Sequence, residues 1–189
     1  MPKAPITQDA HAEMRKLVAE IRRVKGATPD IDADGPGARA RVVLVMLTPG
    51  PALGGAQMTG VLSPTKNSDQ TALNLRQLLK EAKLDERVCV FWNAIPWSLG
   101  PRREPTDDEM RHGVGYLRRF LALVPERRAV VAMGLVAQRA CRQAEIAAIN
   151  VWSASPLAIS PPTGAASTKS KRWIEVREGL ARAAALSVT

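Results

Sequence analysis

The chain is poor in cysteine and histidine, short of acidic residues, and has no long apolar run. Cys89 and Cys141 are the 2 cysteines in 189 residues. They cannot supply the four thiolates of a zinc ribbon or an iron–sulfur cluster, and their apolar surroundings mark them as buried packing residues. The longest apolar stretches, such as Val42 to Leu47, are far shorter than the ~20 residues a helix needs to cross a bilayer. The opening Met-Pro-Lys-Ala-Pro-Ile-Thr-Gln-Asp carries no apolar segment followed by a small-residue cleavage site, so no secretory signal is read and a cytoplasmic location is expected. Acidic residues number 18 against 27 Lys and Arg, a net charge of +9 that favours association with polyanions without naming one.

What is present fits one globular domain of ordinary size. Residues of the AVILMFWYC set make up 46% and charged residues 24%, and at this length a fold buries enough surface to need neither disulfides nor a structural metal. Residues 9–25 carry Met14, Leu17, Val18, Ile21 and Val24 at three- and four-residue steps, which predicts an amphipathic helix stopped by Gly26. Residues 27–40, with Pro29, Gly35, Pro36 and Gly37 among three aspartates, read as a linker or surface loop. The chain therefore divides into an N-terminal helix and linker (1–40), the helix standing as an appendage, and a main domain (41–189).

Val42 to Leu47 is an unbroken apolar run without alternation, as expected of a strand in a parallel sheet covered on both faces. Similar runs recur at 88–92, 129–133 and 149–152, and helical patterns lie at 69–82, 107–124, 135–147 and 170–184. The second of these helices opens Thr106-Asp107-Asp108-Glu109, the signature of a capping box. Strands alternating with helices predict an α/β fold: a three-layer α/β/α sandwich around a central, mainly parallel four-stranded sheet. Ligands of such folds bind beyond the carboxyl ends of the strands, so four loops matter.

The first loop, Thr48-Pro49-Gly50-Pro51-Ala52-Leu53-Gly54-Gly55, lets a ligand approach main-chain N–H groups, yet it matches neither the phosphate-binding P-loop nor the dinucleotide fingerprint. Nucleotide cofactors are not supported. In the second, Asn93 stands at the end of an apolar strand between aromatic residues; its amide offers an acceptor and two donors that can read a base edge, although a turn-forming Asn is the commoner case. The third, Met133-Gly134-Leu135, is a strand-to-helix elbow. The fourth runs Trp152-Ser153-Ala154-Ser155-Pro156-Leu157 towards Lys169, Lys171 and Arg172, combining hydroxyls suited to phosphate with a leucine suited to wedging between bases.

Taken in order, these segments resemble the uracil-DNA glycosylase superfamily over about residues 41–160. Thr48-Pro49-Gly50 looks like the first motif, Asn93 falls on the base-recognising asparagine, Ser155-Pro156-Leu157 resembles the Ser-Pro-Leu of the last motif, and Asn74-Leu75 fits the layout between them. The resemblance implies a DNA-repair enzyme that flips a nucleotide out of the helix and hydrolyses the bond between uracil, or another deaminated base, and deoxyribose, without metal or other cofactor. It implies a base slot of Leu47, Pro49, Gly50, Leu62 and Asn93, with catalytic duties on Thr48 and Ser153. DNA contacts fall to Ser155, Pro156, Leu157, Arg102, Arg103, Lys169, Lys171 and Arg172, while Arg118 and Arg119 are expected to be solvated. DNA, single- or double-stranded, is the expected partner, with no membrane and a monomeric state.

The sequence departs from the family at three positions. Thr48 stands where many members place Asp, Asn or Glu to handle water, Ser153 where members commonly have His, and Leu62 where a stacking aromatic is expected. The alternative reading is therefore a catalytically weak or inactive protein of the same fold that binds uracil or lesion-bearing DNA. Asp69, Asp107 and Asp108 could compensate as carboxylates on the ligand edge, against the plainer expectation that they cap helices.

Overall fold

The structure, a computed structural model, describes residues 9–50, 60–100, 104–159 and 170–188, with side chains from residue 11 onward. Four strands form the main sheet: β2 (Val42–Met46), β4 (Cys89–Asn93), β5 (Ala129–Met133) and β6 (Ile149–Val151). Their order is β4-β2-β5-β6 and every pairing is parallel. The apolar runs predicted from sequence thus become strands, three of them covered on both faces and the edge strand β6 covered on one.

Alternate residues of β2, β4 and β5 feed opposite cores, while the edge strand β6 buries Val151 on one face and exposes Asn150. Val43, Val45, Val90, Trp92, Val130 and Ala132 pack with helices α1 (Asp9–Lys25), α3 (Asp107–Ala122) and α4 (Leu135–Gln143). Val42, Leu44, Phe91, Val131, Met133 and Val151 pack with α2 (Gln70–Glu81) and α6 (Lys171–Ser187). The result is the three-layer α/β/α sandwich. On the first face the Trp92 ring stacks on Phe120 with centroids 4.0 Å apart, which adds about 0.5–1.5 kcal/mol beyond its buried area and pins the end of β4.

Helix ends follow local chemistry. Thr106 and Glu109 form the reciprocal capping box at the start of α3, with the Thr106 N–H donating to the Glu109 carboxylate at 2.8 Å and the Glu109 N–H to the Thr106 hydroxyl at 3.2 Å. The helix predicted over 135–147 stops at Gln143 because Glu145 turns left-handed at φ 60°. There the Ile146 N–H reaches the Cys141 carbonyl and the Glu145 N–H the Arg142 carbonyl, a Schellman closure achieved without glycine. Lys83, at φ 55°, ends α2 in the same way.

The first helix is no appendage. Met14, Leu17, Val18 and Ile21 are buried in the same cluster as Trp92 and Phe120, while Val24, expected on the stripe, is 56% exposed where the last turn overhangs the core. Residues 27–40 are likewise built into the domain. They contribute β1 (Asp30–Ile31), which pairs in parallel with β3 (Val61–Leu62), and a 3-10 turn at Gly37–Arg39 that buries Ala38. Two-residue strands have no periodicity to read, so composition alone gave the impression of a linker. Cys89 and Cys141 are buried and free, and burial pushes the Cys141 thiol up to about 11 and the Cys89 thiol upward too.

His11 joins α1 to that turn. Gly37, at φ 53°, leaves room for it: a Cβ there would stand 2.1 Å from His11 Nε2, a buried nitrogen without a partner among the described residues. Burial first, then the charges of Arg15 and Arg39, hold the His11 pKa below its ordinary 6.5. The unfolded chain therefore binds this proton more readily, and the stability His11 confers is present at neutral pH and lost as pH falls through 6.5. Thermal melts from about pH 7.5 to 5.5 are expected to show His11→Gln losing less stability than the parent chain across that window; parallel pH profiles would contradict this.

Candidate functional site

Because all four strands run the same way, the segments that follow them emerge along one rim. Met46 is in register with Asn93 across the β2–β4 pair. Beyond it the Ala94 N–H donates to the Met46 carbonyl at 2.7 Å and the Ile95 N–H to the Leu47 carbonyl at 2.9 Å, so the first and second loops leave the sheet together. On the other side of β2, the Gly134 N–H donates to the Val151 carbonyl at 2.9 Å. Gly134, at φ 89°, lies against Ser153: a Cβ on it would come within 3.3 Å of the Ser153 Cβ. The Asn74 amide, on α2, donates to the Ala154 carbonyl at 3.0 Å and ties the fourth loop to the helix that covers this face.

Asn93 is 1% exposed, and its Nδ2 has no hydrogen-bond partner among the described residues. Strand alternation puts it on the side of Phe91 and Leu44, facing the α2–α6 layer. A buried amide donor left unpaired costs about 1–3 kcal/mol, and such a group calls for an explanation, one of which is a ligand. The neighbouring Trp92, whose Nε1 is also unpaired, faces the opposite core.

The Thr48 hydroxyl donates to the Trp97 carbonyl at 2.9 Å. With its single proton committed, its oxygen is left as an acceptor. Leu47 and Gly50 are exposed beside it and Pro49 is buried. Ser153 Oγ accepts from the Ser155 N–H at 3.2 Å. Pro156 then opens a four-residue helix, α5 (Pro156–Ile159), not foreseen from sequence, which presents Leu157 at 80% exposure. Leu62, on β3, is buried among Leu75 and Phe91, so it supplies apolar wall on the same face as Asn93.

Lys171 is exposed at the start of α6. Arg172 lies 4.2 Å from the Trp152 ring and donates to the Ala158 carbonyl at 3.2 Å, while Trp152 Nε1 donates to Glu175 at 2.7 Å. That set braces the fourth loop against α6. Arg118 and Arg119 are exposed, as expected, and also tie α3 to its neighbours: Arg118 donates to the Gln143 carbonyl at 2.9 Å, and both Arg119 terminal nitrogens reach the Glu20 carboxylate at 2.6 Å. Adjacent residues on one helix point about 100° apart, far enough to reach α4 and α1 separately. Arg102, Arg103 and Lys169, along with residues 51–59 of the first loop, lie outside the described residues.

The spare carboxylates are engaged. Asp69 caps α2 by accepting from the Thr71 and Ala72 N–H groups, Asp107 pairs with Arg139 at 2.6 Å, and Asp108 pairs with Arg111 and His112. Two contributors were beyond sequence reasoning: the Trp97 carbonyl, which is main chain, and Gly113 on α3. A Cβ on Gly113 would stand 2.2 Å from the Ala94 carbonyl oxygen, so this glycine lets α3 seat against the residue after Asn93. Gly113→Ala is expected to cost about 1–3 kcal/mol by overpacking and to displace the rim at Asn93. Denaturant melts and backbone chemical shifts of residues 93–95 check this; unchanged shifts would contradict it.

No curated protein matches the chain. The family model described as Uracil DNA glycosylase superfamily matches residues 34–177, a span that starts ahead of the Gly37–Arg39 turn, contains all four rim loops and ends within α6. With a parallel sheet delivering Thr48, Asn93 and the Ser155-Pro156-Leu157 clip to a single rim, fold, motif order and family match agree: the chain belongs to the uracil DNA glycosylase superfamily.

Proposed function

We propose that this protein is a DNA glycosylase that flips uracil, or another deaminated base, from DNA and hydrolyses its bond to the sugar. The observation that carries the reading is the buried Nδ2 of Asn93, which has no partner among the described residues. A donor fixed in that position takes the O4 oxygen of uracil and rejects cytosine, which presents an amino group at the same place. The backbone of Leu47, Pro49 and Gly50 and the side chain of Leu62 form the walls of the slot.

Cleavage breaks the C1′–N1 bond, the electron pair leaves with the base, and water adds at C1′ and gives its proton to solvent, from which the departed base anion is reprotonated at nitrogen. Thr48 is too weak a base to take that proton at neutral pH. Its oxygen, an acceptor once the hydroxyl is donated to Trp97, accepts one hydrogen of the water and leaves a water lone pair for the sugar carbon. The Ser153 hydroxyl donates to the base oxygen as negative charge develops there. Neither group matches a carboxylate or an imidazolium, so slow turnover is expected.

Ser155 and Pro156 grip a backbone phosphate, and Leu157 enters the gap that the flipped nucleotide leaves. The net charge of +9 holds DNA by counterion release, with Lys171 and Arg172 at the start of α6 and Arg102, Arg103 and Lys169, by their place in the sequence, as further phosphate contacts. Hydroxyls at both catalytic positions favour one second reading, a protein that binds uracil-containing DNA without cutting it.

Excision from oligonucleotides carrying uracil, hypoxanthine or xanthine, single-stranded and mismatched, tests both readings. Uracil release is expected, with kcat/KM lowered about 10²-fold or more in Asn93→Ala and by less in Thr48→Ala. Release undiminished in Asn93→Ala removes the assignment of the amide. Tight, salt-dependent binding without release leaves the second reading.

A further inference from the structure

The turn that joins α1 to β1 reaches the rim at one point, the peptide between Trp97 and Ser98. The Ser98 N–H donates to the Ala27 carbonyl at 2.9 Å, and the Trp97 carbonyl accepts from the Thr48 hydroxyl at 2.9 Å. These are the two ends of one planar trans unit, whose N–H and C=O point in opposite directions. A rotation of that plane breaks both bonds together. The peptide is thus strung between a residue of the N-terminal turn and the hydroxyl on the first loop.

Both sides of this link are held. The Trp97 ring is 4% exposed, with Lys25 Nζ 5.3 Å from its centroid and the Tyr116 ring meeting it edge-on at 6.2 Å. The turn carrying Ala27 is closed by the Thr28 hydroxyl donating to the Gly26 carbonyl at 2.9 Å. It is fastened to α1 by Arg22, whose Nη2 donates to both the Thr28 carbonyl and the Asp30 carboxylate at 2.8 Å. Residues 22–28 all lie ahead of the family-matched span of 34–177.

We propose that this N-terminal turn positions the Thr48 hydroxyl through the Trp97–Ser98 peptide, with Lys25 and Arg22 as positioning residues. The proposal rests on the reading of Thr48 as the group that orients water. Ala27 polarises the peptide through the Ser98 N–H, which makes the Trp97 carbonyl a better acceptor and commits the Thr48 proton to it. The Thr48 oxygen is thereby kept as an acceptor facing the water. In this way the chain uses a segment outside the family core to make a hydroxyl do part of what a carboxylate does elsewhere.

The test uses full-length Lys25→Gln, Lys25→Arg and Arg22→Gln, with melting temperatures as a check on folding. Independently of activity, Lys25→Gln and Arg22→Gln are expected to speed amide exchange at Ser98 and to turn the Thr48 χ1 coupling from one rotamer to an average, with Lys25→Arg restoring both. In excision of uracil from single-stranded DNA, the same two variants are expected to lower kcat roughly 5- to 10-fold with KM unchanged, an effect that disappears in a Thr48→Ala background. Unchanged Ser98 exchange and Thr48 rotamer in both variants would overturn the proposal whatever the activity. So would a rise in KM with a shallower salt dependence that persists without Thr48, which would make Lys25 a phosphate contact. If the parent chain releases no uracil, the catalytic reading fails, and the exchange and rotamer measurements still decide whether the turn positions Thr48.

Discussion

The parallel pairing of β4 with β2 is the constraint on which the candidate site depends. Register Met46↔Asn93 places the last residue of one strand beside the start of the Leu47–Gly50 turn. A slip of one residue would send the Asn93 side chain into the α1–α3 core and bring Trp92 to the other face. Several features oppose that slip: the Trp92–Phe120 stack on one side, Phe91 and Leu44 packed on the other, and Gly113 allowing α3 to close on Ala94. The unpaired amide is tolerated because its surroundings over-determine where it sits.

Much of the architecture was legible because its elements carry strong patterns. Apolar runs without alternation, as in β2, β4 and β5, are what strands covered on both faces require, and the Thr106–Glu109 box announces the start of α3. Other features left no such mark. Glu145 ends α4 through a backbone conformation its side chain does not advertise. The β1–β3 ladder is too short for a period, and the proline- and glycine-rich segment from 27 to 40 hides buried Thr28, Ile31 and Ala38 among aspartates. Arg118 and Arg119 face solvent, as their mid-helix position suggested, but the links they make from α3 to α4 and α1 leave no mark in the sequence.

The candidate site was legible by motif order and much less so by mechanism. Asn93, Thr48 and Ser155-Pro156-Leu157 could be named because each follows a strand. That Thr48 gives its proton to Trp97, that Asn74 holds the last loop, and that Arg172 braces Trp152 are facts of contact between distant segments. Main-chain groups such as the Trp97 carbonyl have no residue type to betray them. What the fold settles is placement: a hydroxyl whose proton goes to a main-chain carbonyl, a buried amide and a short helix, all at the carboxyl ends of the strands.

The most direct measurement is the side-chain amide signal of Asn93 in ¹⁵N-labelled protein. It would be titrated with a single-stranded oligonucleotide carrying one 2′-fluoro-2′-deoxyuridine, whose fluorine stops bond cleavage, and with the matching cytidine strand. A saturable downfield shift of the Asn93 Nδ2 protons is expected with the uracil strand and none with the cytosine strand. An Asn93 amide that stays in place while the uracil strand saturates other signals would contradict it.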